Sequence, residues 1–242
     1  MTLVQGTAAI IARIVLVVVA RMEVRGRENL RDLPKKVIFA ANHTNDIDSV
    51  LVRNALPLFS HFTPLIAVAR NYEDYGWTGW KALVYRNAFF RLLGAYPSYR
   101  GLRDYARSLR VIIQIARMQQ SVLIFAGGKQ HTAAERVRVR GGTGYLSWAT
   151  GYTVVPVSIS GSYGFGVHSF LRRPRIIVCF GKPYTKSALF GDSKPTVAAC
   201  RATTAKVVDE IERMRRTVRQ ELVSQVAPKP TTPVSTPERS NT

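Results

Sequence analysis

The chain has 242 residues, of which 46% are hydrophobic, a length and composition that fit one sizeable α/β domain and are too short for two. Its 35 Lys and Arg against 15 Asp and Glu give a net charge of +20, which predicts an anionic partner such as lipid headgroups or nucleic acid. The two cysteines, Cys179 and Cys200, lack CxxC or metal-ligand spacing, which argues against a disulfide framework and indicates a reducing compartment.

The most apolar stretch is residues 3–20, which Arg13 interrupts and Arg21 follows. The stretch is short and interrupted for a membrane-spanning helix, which needs about 20 apolar residues. A signal peptide is also not expected, because no basic segment precedes the apolar one. An interfacial helix with both arginines reaching headgroups fits better, and an ordinary core helix is the alternative. We expect residues 1–22 to form a helix associated with the cytoplasmic face of a membrane.

The most informative stretch runs from Val37 to Asp48. Its five apolar residues, 37–41, predict a buried strand, and the following polar residues predict a loop. Apolar residues at helical spacing then predict a helix from near Asp46 to near Pro57. His43 should therefore lie at the C-terminal end of a strand, where open α/β sheets bind ligands.

His43 and Asp48 form a pair suited to acid–base chemistry on a hydroxyl group. A neutral imidazole can remove a proton as the hydroxyl attacks an acyl group. A carboxylate five residues later can fix the tautomer of that imidazole and stabilise its protonated form. The alternative is a histidine that only holds a strand–helix turn together.

Further elements follow in chain order. Residues 23–36 predict a polar connector with at most one short strand, and residues 65–69 predict a strand. Residues 71–80 predict an aromatic loop that packs, lines an acyl groove or meets a membrane interface. A helix over 82–93 should end at Gly94, followed by a loop to Arg100. Four arginines from there on would share one helix face, either solvated or, at Arg100, holding an anion: Arg100, Arg103, Arg107 and Arg110.

A third buried strand is predicted over Ser121–Phe125, and two glycines and a lysine follow it. Gly127, Gly128 and Lys129 could cradle a phosphate through backbone N–H groups and the amine. No Walker A or GxGxxG pattern is present, so a nucleotide is not implied. Three arginines then alternate with valines and would point one way in an extended segment: Arg136, Arg138 and Arg140.

The last third of the chain predicts a helix over 144–150 ended by Gly151, strands over 154–158 and 176–180, and a long helix over 197–226. Pro156 lies inside the first of these strands, which indicates an edge position or a bulge. From 227 to 242, Pro, Thr and Ser predominate, and we expect a disordered tail.

Several stretches, taken together and in order, resemble the PlsC-like glycerolipid acyltransferases, the lysophosphatidic acid acyltransferase family. Asn42-His43 with Asp48 is similar to the motif NHxxxxD, and 94–100 is similar to a glycine-led loop that ends in Arg. Leu123–Phe125 with Gly128 lies where the family has a strand leading into FPEGTR. Val154–Val157 resembles the strand that carries VPV, and 142–151 a glycine-led helix before it. The resemblance spans about 24–183.

This resemblance implies one α/β domain over 23–226, with a mostly parallel or mixed sheet flanked by helices. It implies acyl transfer from acyl-CoA or acyl carrier protein to the hydroxyl of a glycerolipid acceptor, with no metal and no bound cofactor. His43 would be the general base and Asp48 its orienting carboxylate, and we expect N–H groups near Gly127 and Gly128 to stabilise the oxyanion. The residues expected to bind substrate are Arg100, Gly127, Gly128, Lys129 and Arg140.

The third motif departs from the family pattern. Its Pro, Glu, Thr and Arg correspond to Ala126, Gly127, Lys129 and Gln130. The family arginine is taken to bind the acceptor phosphate, so the acceptor could instead be neutral, as in the related diacylglycerol acyltransferase group. An inactive lipid-binding relative is the alternative function. A nucleic-acid-binding protein is less favoured, and no nucleic acid is expected, because helix-turn-helix, zinc and RNP signatures are missing.

Overall fold

The computed structural model describes residues 2–57, 60–70, 94–98, 104–118, 120–127, 139–166 and 169–226. The strands in these ranges are β1 Arg21–Arg25, β2 Val37–Ala41, β3 Leu65–Arg70, β4 Ala95–Ser98, β5 Ser121–Phe125, β6 Thr153–Ser160 and β7 Arg175–Phe180. The α-helices are α1 Thr2–Val19, α2 Asp48–Ala55, α3 Tyr105–Ser108, α4 Arg110–Arg117, α5 Gly142–Thr150, α6 Ser169–Arg172, α7 Lys186–Phe190 and α8 Val197–Val226, and Arg27–Leu30 is a 3-10 helix. The predicted loop 71–80, helix 82–93 and tail 227–242 lie outside the described residues.

The described strands form one sheet in the order β1-β7-β6-β2-β5-β3-β4. Neighbouring strands are parallel except for β6 and β7, which are antiparallel. Helices cover both faces, so the expected single α/β domain with a mixed, helix-flanked sheet is confirmed. Within the described ranges, no helix has the length and apolar character needed to cross a membrane.

β2 lies inside the sheet, and its side chains alternate between two apolar cores. Phe39 packs with residues of α1 and α2 on one face, while Ile38 packs with residues of α4, α5 and α8 on the other. All five β2 residues are buried. A parallel strand covered on both faces needs an unbroken apolar sequence, which is why this strand could be predicted.

The predicted strands at 65–69, 121–125 and 176–180 and the helices at 144–150 and 197–226 are confirmed. The predicted loop 94–100 is partly wrong, because 95–98 form β4, which lies beside β3 at the edge of the sheet that the described strands form. Pro97 is compatible with a strand there, since an edge strand needs no ladder bond from every N–H. The polar connector 23–36 contains the end of β1 and the 3-10 helix.

The edge position considered for Pro156 is wrong, because β6 lies between β7 and β2. The bulge alternative fits. Val157 faces Phe180, and Val154 faces Tyr184. Two residues of β6, 155 and 156, therefore lie opposite three residues, 181–183. The extra residue lies on the facing strand, and the carbonyl of Pro156 accepts a 2.8 Å hydrogen bond from the N–H of Gly181. The irregular pairing removes the need for an N–H on residue 156.

Helix α8 approaches α5 closely at Gly144. The N–H of Gly144 donates a 3.1 Å hydrogen bond to Oγ1 of Thr204, which itself donates to the carbonyl of Cys200. A Cβ on Gly144 would lie 2.6 Å from that carbonyl oxygen. This contact requires a glycine in α5 and holds α8 close against that helix.

We expect Gly144→Ala to destabilise the protein by about 1–3 kcal/mol, the usual cost of overpacking, because backbone atoms of α8 must shift. The measurement is the free energy of unfolding from chemical denaturation followed by circular dichroism. Gly6→Ala in α1 is the matched control, since an added Cβ there meets nothing within 4 Å. Equal stability of the two variants would contradict the close approach.

Candidate active site

The candidate site begins where β2 ends, and Asn42 fixes that end to β6. Its Nδ2 donates a 2.9 Å hydrogen bond to the carbonyl of Ile159, and its Oδ1 accepts a 2.7 Å bond from the N–H of the same residue. All of these groups are buried. The side chain therefore replaces a backbone ladder pair at the point where the chain turns toward α2.

Asp48 is fully buried as the first residue of α2. Its Oδ2 accepts hydrogen bonds from the N–H groups of Thr44 at 2.6 Å and Asn45 at 2.9 Å and lies 3.1 Å from Nδ1 of His43. Backbone donors and the positive end of the helix dipole both stabilise a carboxylate at this position. The carboxylate thus closes the turn and orients the imidazole at once.

The imidazole of His43 is held on two sides. A carboxylate oxygen can only accept, so the proton of the Asp48 contact belongs to Nδ1, and Nε2 keeps its lone pair. The ring of Phe125, at the end of β5, stacks on the imidazole with centroids 4.0 Å apart and planes at 18°. The His43 side chain remains 20% exposed. This arrangement leaves Nε2 able to accept one proton.

The loop after β6 supports the turn from the other side. Oγ1 of Thr44 and Oγ of the buried Ser162 are 2.7 Å apart, and Nδ2 of Asn45 donates to the carbonyl of Phe165 at 3.1 Å. Two residues of the turn are therefore tied to a segment more than 100 residues away in sequence.

A pocket opens beside His43 at the carboxyl ends of β2 and β5. Residues from these strand ends and from α8 line it: Ala41, Asn42, His43, Ala126, Gly127, Val208, Ile211, Glu212 and Arg215. The position agrees with the expectation that ligands bind at the C-terminal ends of parallel strands.

The predicted substrate residues have different outcomes. Gly127 lines the pocket with His43. Arg140 is exposed just before α5 and is not among the described lining residues. Arg100, Gly128 and Lys129 lie outside the described residues, so their roles stay predictions, as do those of Gly127 and Arg140.

The predicted continuous helix face from Arg100 to Arg110 is wrong. Asp104 has an extended backbone, and its side chain accepts from the N–H groups of Ala106 and Arg107, so α3 begins only at Tyr105. Leu109 then separates α3 from α4. Asp104 is a preferred N-cap type, and that signal was present in the sequence.

The sequence did not predict several features of the site. These are the Asn42 clamp, meaning its two hydrogen bonds to Ile159, the stacking of Phe125 on His43, the contact of Ser162 with Thr44, and the α8 residues that line the pocket. The helix itself was predicted, but its pocket-facing side follows from how it packs on the sheet.

The Acyltransferase family model matches residues 21–160, more than half of the chain. A search of curated proteins finds no match. Among solved structures, the chain is similar to the 1-acyl-sn-glycerophosphate (LPA) acyltransferase PlsC from Thermotoga maritima, with a TM-score of 0.62 and 17% identity. The alignment covers 89% of this chain and 79% of that chain, and it shows a shared fold.

The fold and the family match together define the class of protein, which is an enzyme that transfers acyl groups. The chain belongs to the acyltransferase family.

We expect Asn42→Ala to destabilise the domain by about 2–4 kcal/mol, because it leaves two buried backbone groups of Ile159 without a partner. Asn29→Ala is the control, since Asn29 donates one part-buried bond, to the carbonyl of Phe180, and should cost about 1 kcal/mol. Denaturant unfolding measures both. Similar small losses would contradict the clamp.

Proposed function

We propose that this acyltransferase is membrane-associated and moves a fatty acyl group from acyl-CoA or acyl carrier protein to a hydroxyl of a glycerolipid acceptor. The observation that carries the proposal is the His43–Asp48 pair, held at 3.1 Å at the mouth of a pocket in a chain of this family. A hydroxyl acceptor needs a base, and a thioester donor needs no protein nucleophile if that hydroxyl attacks directly.

The reaction proceeds in two steps. Nε2 of His43 takes the hydroxyl proton as the acceptor oxygen attacks the thioester carbonyl carbon, and Asp48 stabilises the imidazolium that forms. The tetrahedral intermediate then collapses, the carbon–sulfur bond breaks, and the leaving thiolate takes the proton from His43. The products are an ester and a free thiol, so no metal or redox group is required.

The oxyanion of the intermediate needs hydrogen-bond donors close to His43. Gly127 follows β5 and lines the same pocket, which supports the proposed role for backbone N–H groups at Gly127 and Gly128. Arg100, Lys129 and Arg140 are proposed to attract the anionic groups of the substrates.

The membrane contact is proposed for α1. One side of this helix packs on α2, α6 and β1 and buries Leu16 and Val19. Much of its remaining surface is apolar and exposed, including Leu3 at 85% and Ile14 at 62%. An apolar helix surface of this kind suits burial among lipid acyl chains at the interface.

Cations lie within α1 and near its C-terminal end. Arg21 is exposed directly after α1, and Nη2 of Arg173 donates to the carbonyl of Val17 at 2.8 Å. Arg13 is half-buried, and its charge adds to burial in lowering the pKa of Arg53 on α2. Cations beside an apolar surface favour anionic headgroups, in keeping with the net charge of +20. We propose that this surface meets the cytoplasmic face of a membrane.

The catalytic test uses His43→Ala and Asp48→Asn. We expect His43→Ala to lower acyl transfer by at least about 10²-fold, the usual contribution of a general base, and Asp48→Asn to be severely impaired through the wrong tautomer. The assay follows thiol release from an acyl-CoA with lysophosphatidic acid or monoacylglycerol as acceptor.

The exposed His61 supplies the control, and His61→Ala should keep wild-type activity. Near-full activity of His43→Ala would refute the mechanism. Wild-type protein that binds these lipids but transfers nothing would favour the inactive lipid-binding relative.

The membrane test replaces apolar residues on the exposed side of α1, because deleting the helix would also remove Leu16 and Val19 from the core. The triple variant Ile11→Gln, Ile14→Gln, Val18→Gln should bind anionic vesicles much more weakly while keeping its stability. Vesicle co-sedimentation measures the binding.

The matched control is Met118→Gln, Val197→Gln, Val223→Gln, which changes exposed apolar residues elsewhere and should bind like wild type. Unchanged binding of the α1 variant would exclude this helix as the main contact.

A further inference from the structure

Helix α8 places a charged pair in the pocket of His43. Four of its residues line that pocket: Val208, Ile211, Glu212 and Arg215. The first two are apolar and buried. The other two bring an anion and a cation to the lining of that pocket. The helix lies beyond residues 21–160, the part of the chain that the family model matches.

Arg215 is more covered than the arginine of a similar pair on the same helix. Nη1 of Arg215 donates to Oε1 of Glu212 at 2.7 Å, with side chains 16% and 28% exposed. Arg213 and Glu210 form a pair of the same spacing, but there the arginine is 64% exposed. Exposed ion pairs contribute little to stability, and covering a cation costs hydration. A partly desolvated arginine in a pocket is therefore better explained by a ligand than by the helix alone.

Arg215 has binding capacity beyond its acidic partner. Among the described residues, its guanidinium donates to Glu212 through Nη1. A guanidinium is a fork of several N–H donors that matches two oxygens of a phosphate. The third motif of this chain has Gln130 where its family resemblance leads one to expect arginine, so a phosphate here needs a cation from elsewhere.

We propose that Arg215 binds the phosphate of an anionic acceptor lipid. Glu212 orients the guanidinium, and its carboxylate lowers the affinity for the phosphate by repelling it. This rests on the proposed function. In a lysophosphatidic acid the phosphate lies a few bonds from the reacting hydroxyl, which must approach His43. In coenzyme A the pantetheine arm separates the phosphates from the thioester. A cation in the pocket of His43 therefore fits the acceptor phosphate, and the acceptor class is a phosphate monoester.

The experiment measures binding without an acyl donor, so that it gives a result even if the enzyme transfers nothing. Isothermal titration in detergent micelles compares lysophosphatidic acid, monoacylglycerol with the same chain, and coenzyme A. The variants are Arg215→Gln, Glu212→Gln and the control Arg213→Gln, which removes the exposed arginine of the neighbouring pair.

We expect Arg215→Gln to weaken lysophosphatidic acid binding by about 10- to 100-fold, the scale of a lost charge-assisted contact, and to leave the other two ligands within about twofold. Glu212→Gln should tighten lysophosphatidic acid binding several-fold, because the amide still accepts the hydrogen bond but no longer repels the phosphate. Arg213→Gln should match wild type for every ligand. If Arg215→Gln fails to fold, Arg215→Lys should give a smaller loss confined to lysophosphatidic acid.

Three results would overturn the proposal. Equal losses for lysophosphatidic acid and monoacylglycerol would show a structural role, and a loss confined to coenzyme A would place the phosphate on the donor. Wild-type protein without preference for lysophosphatidic acid over monoacylglycerol would exclude a phosphate site. Retained, Arg215-dependent lipid binding in a protein without transferase activity would instead refute the proposed function and leave this inference standing.

Discussion

The site depends on one buried oxygen, Oδ2 of Asp48. It accepts from the N–H groups of Thr44 and Asn45 and contacts Nδ1 of His43. A fully buried carboxylate must satisfy its charge locally, because water cannot do so. Here the turn itself provides the donors. The same contacts that make burial of the charge tolerable also fix the imidazole, so the stability of the turn and the geometry of the proposed base have one physical origin.

The sheet determines what surrounds this carboxylate. β2 is flanked by β5 and β6, and each neighbour brings one support to the turn. Phe125 at the end of β5 stacks on His43, and Ile159 in β6 holds Asn42. Parallel strands that end at the same edge bring together residues far apart in the chain. A site of this kind therefore exists only after the non-local strands have paired.

The two long helices have different relations to the sheet. α8 packs against β6 and α5, and its polar pair reaches the pocket from the face where Gly144 permits close approach. α1 packs on the other face and leaves much of its apolar surface exposed. One helix thus contributes to the proposed substrate site, and the other offers the surface proposed to meet lipid. Both roles arise because a helix buries only part of its circumference.

The sequence determined the elements whose signal is local. The unbroken apolar run of β2, the helix over 197–226 and the glycine that ends α5 were predictable, since propensity and periodicity depend on neighbouring residues. The pairing of His43 with Asp48 also followed from a strand–turn–helix of fixed spacing.

Other features required tertiary structure. Pro156 predicted either an edge strand or a bulge, and only the structure decides between them. β6 is internal, and its irregular pairing opposite 181–183 accommodates a residue without an N–H. Three features bring together residues more than 100 positions apart in the chain: the bonds of Asn42 to Ile159, the contact of Ser162 with Thr44, and the pocket that His43 and Arg215 both line. Only packing decides such contacts, because the rotation of a helix and the order of strands depend on how all the apolar surfaces of the chain are buried together.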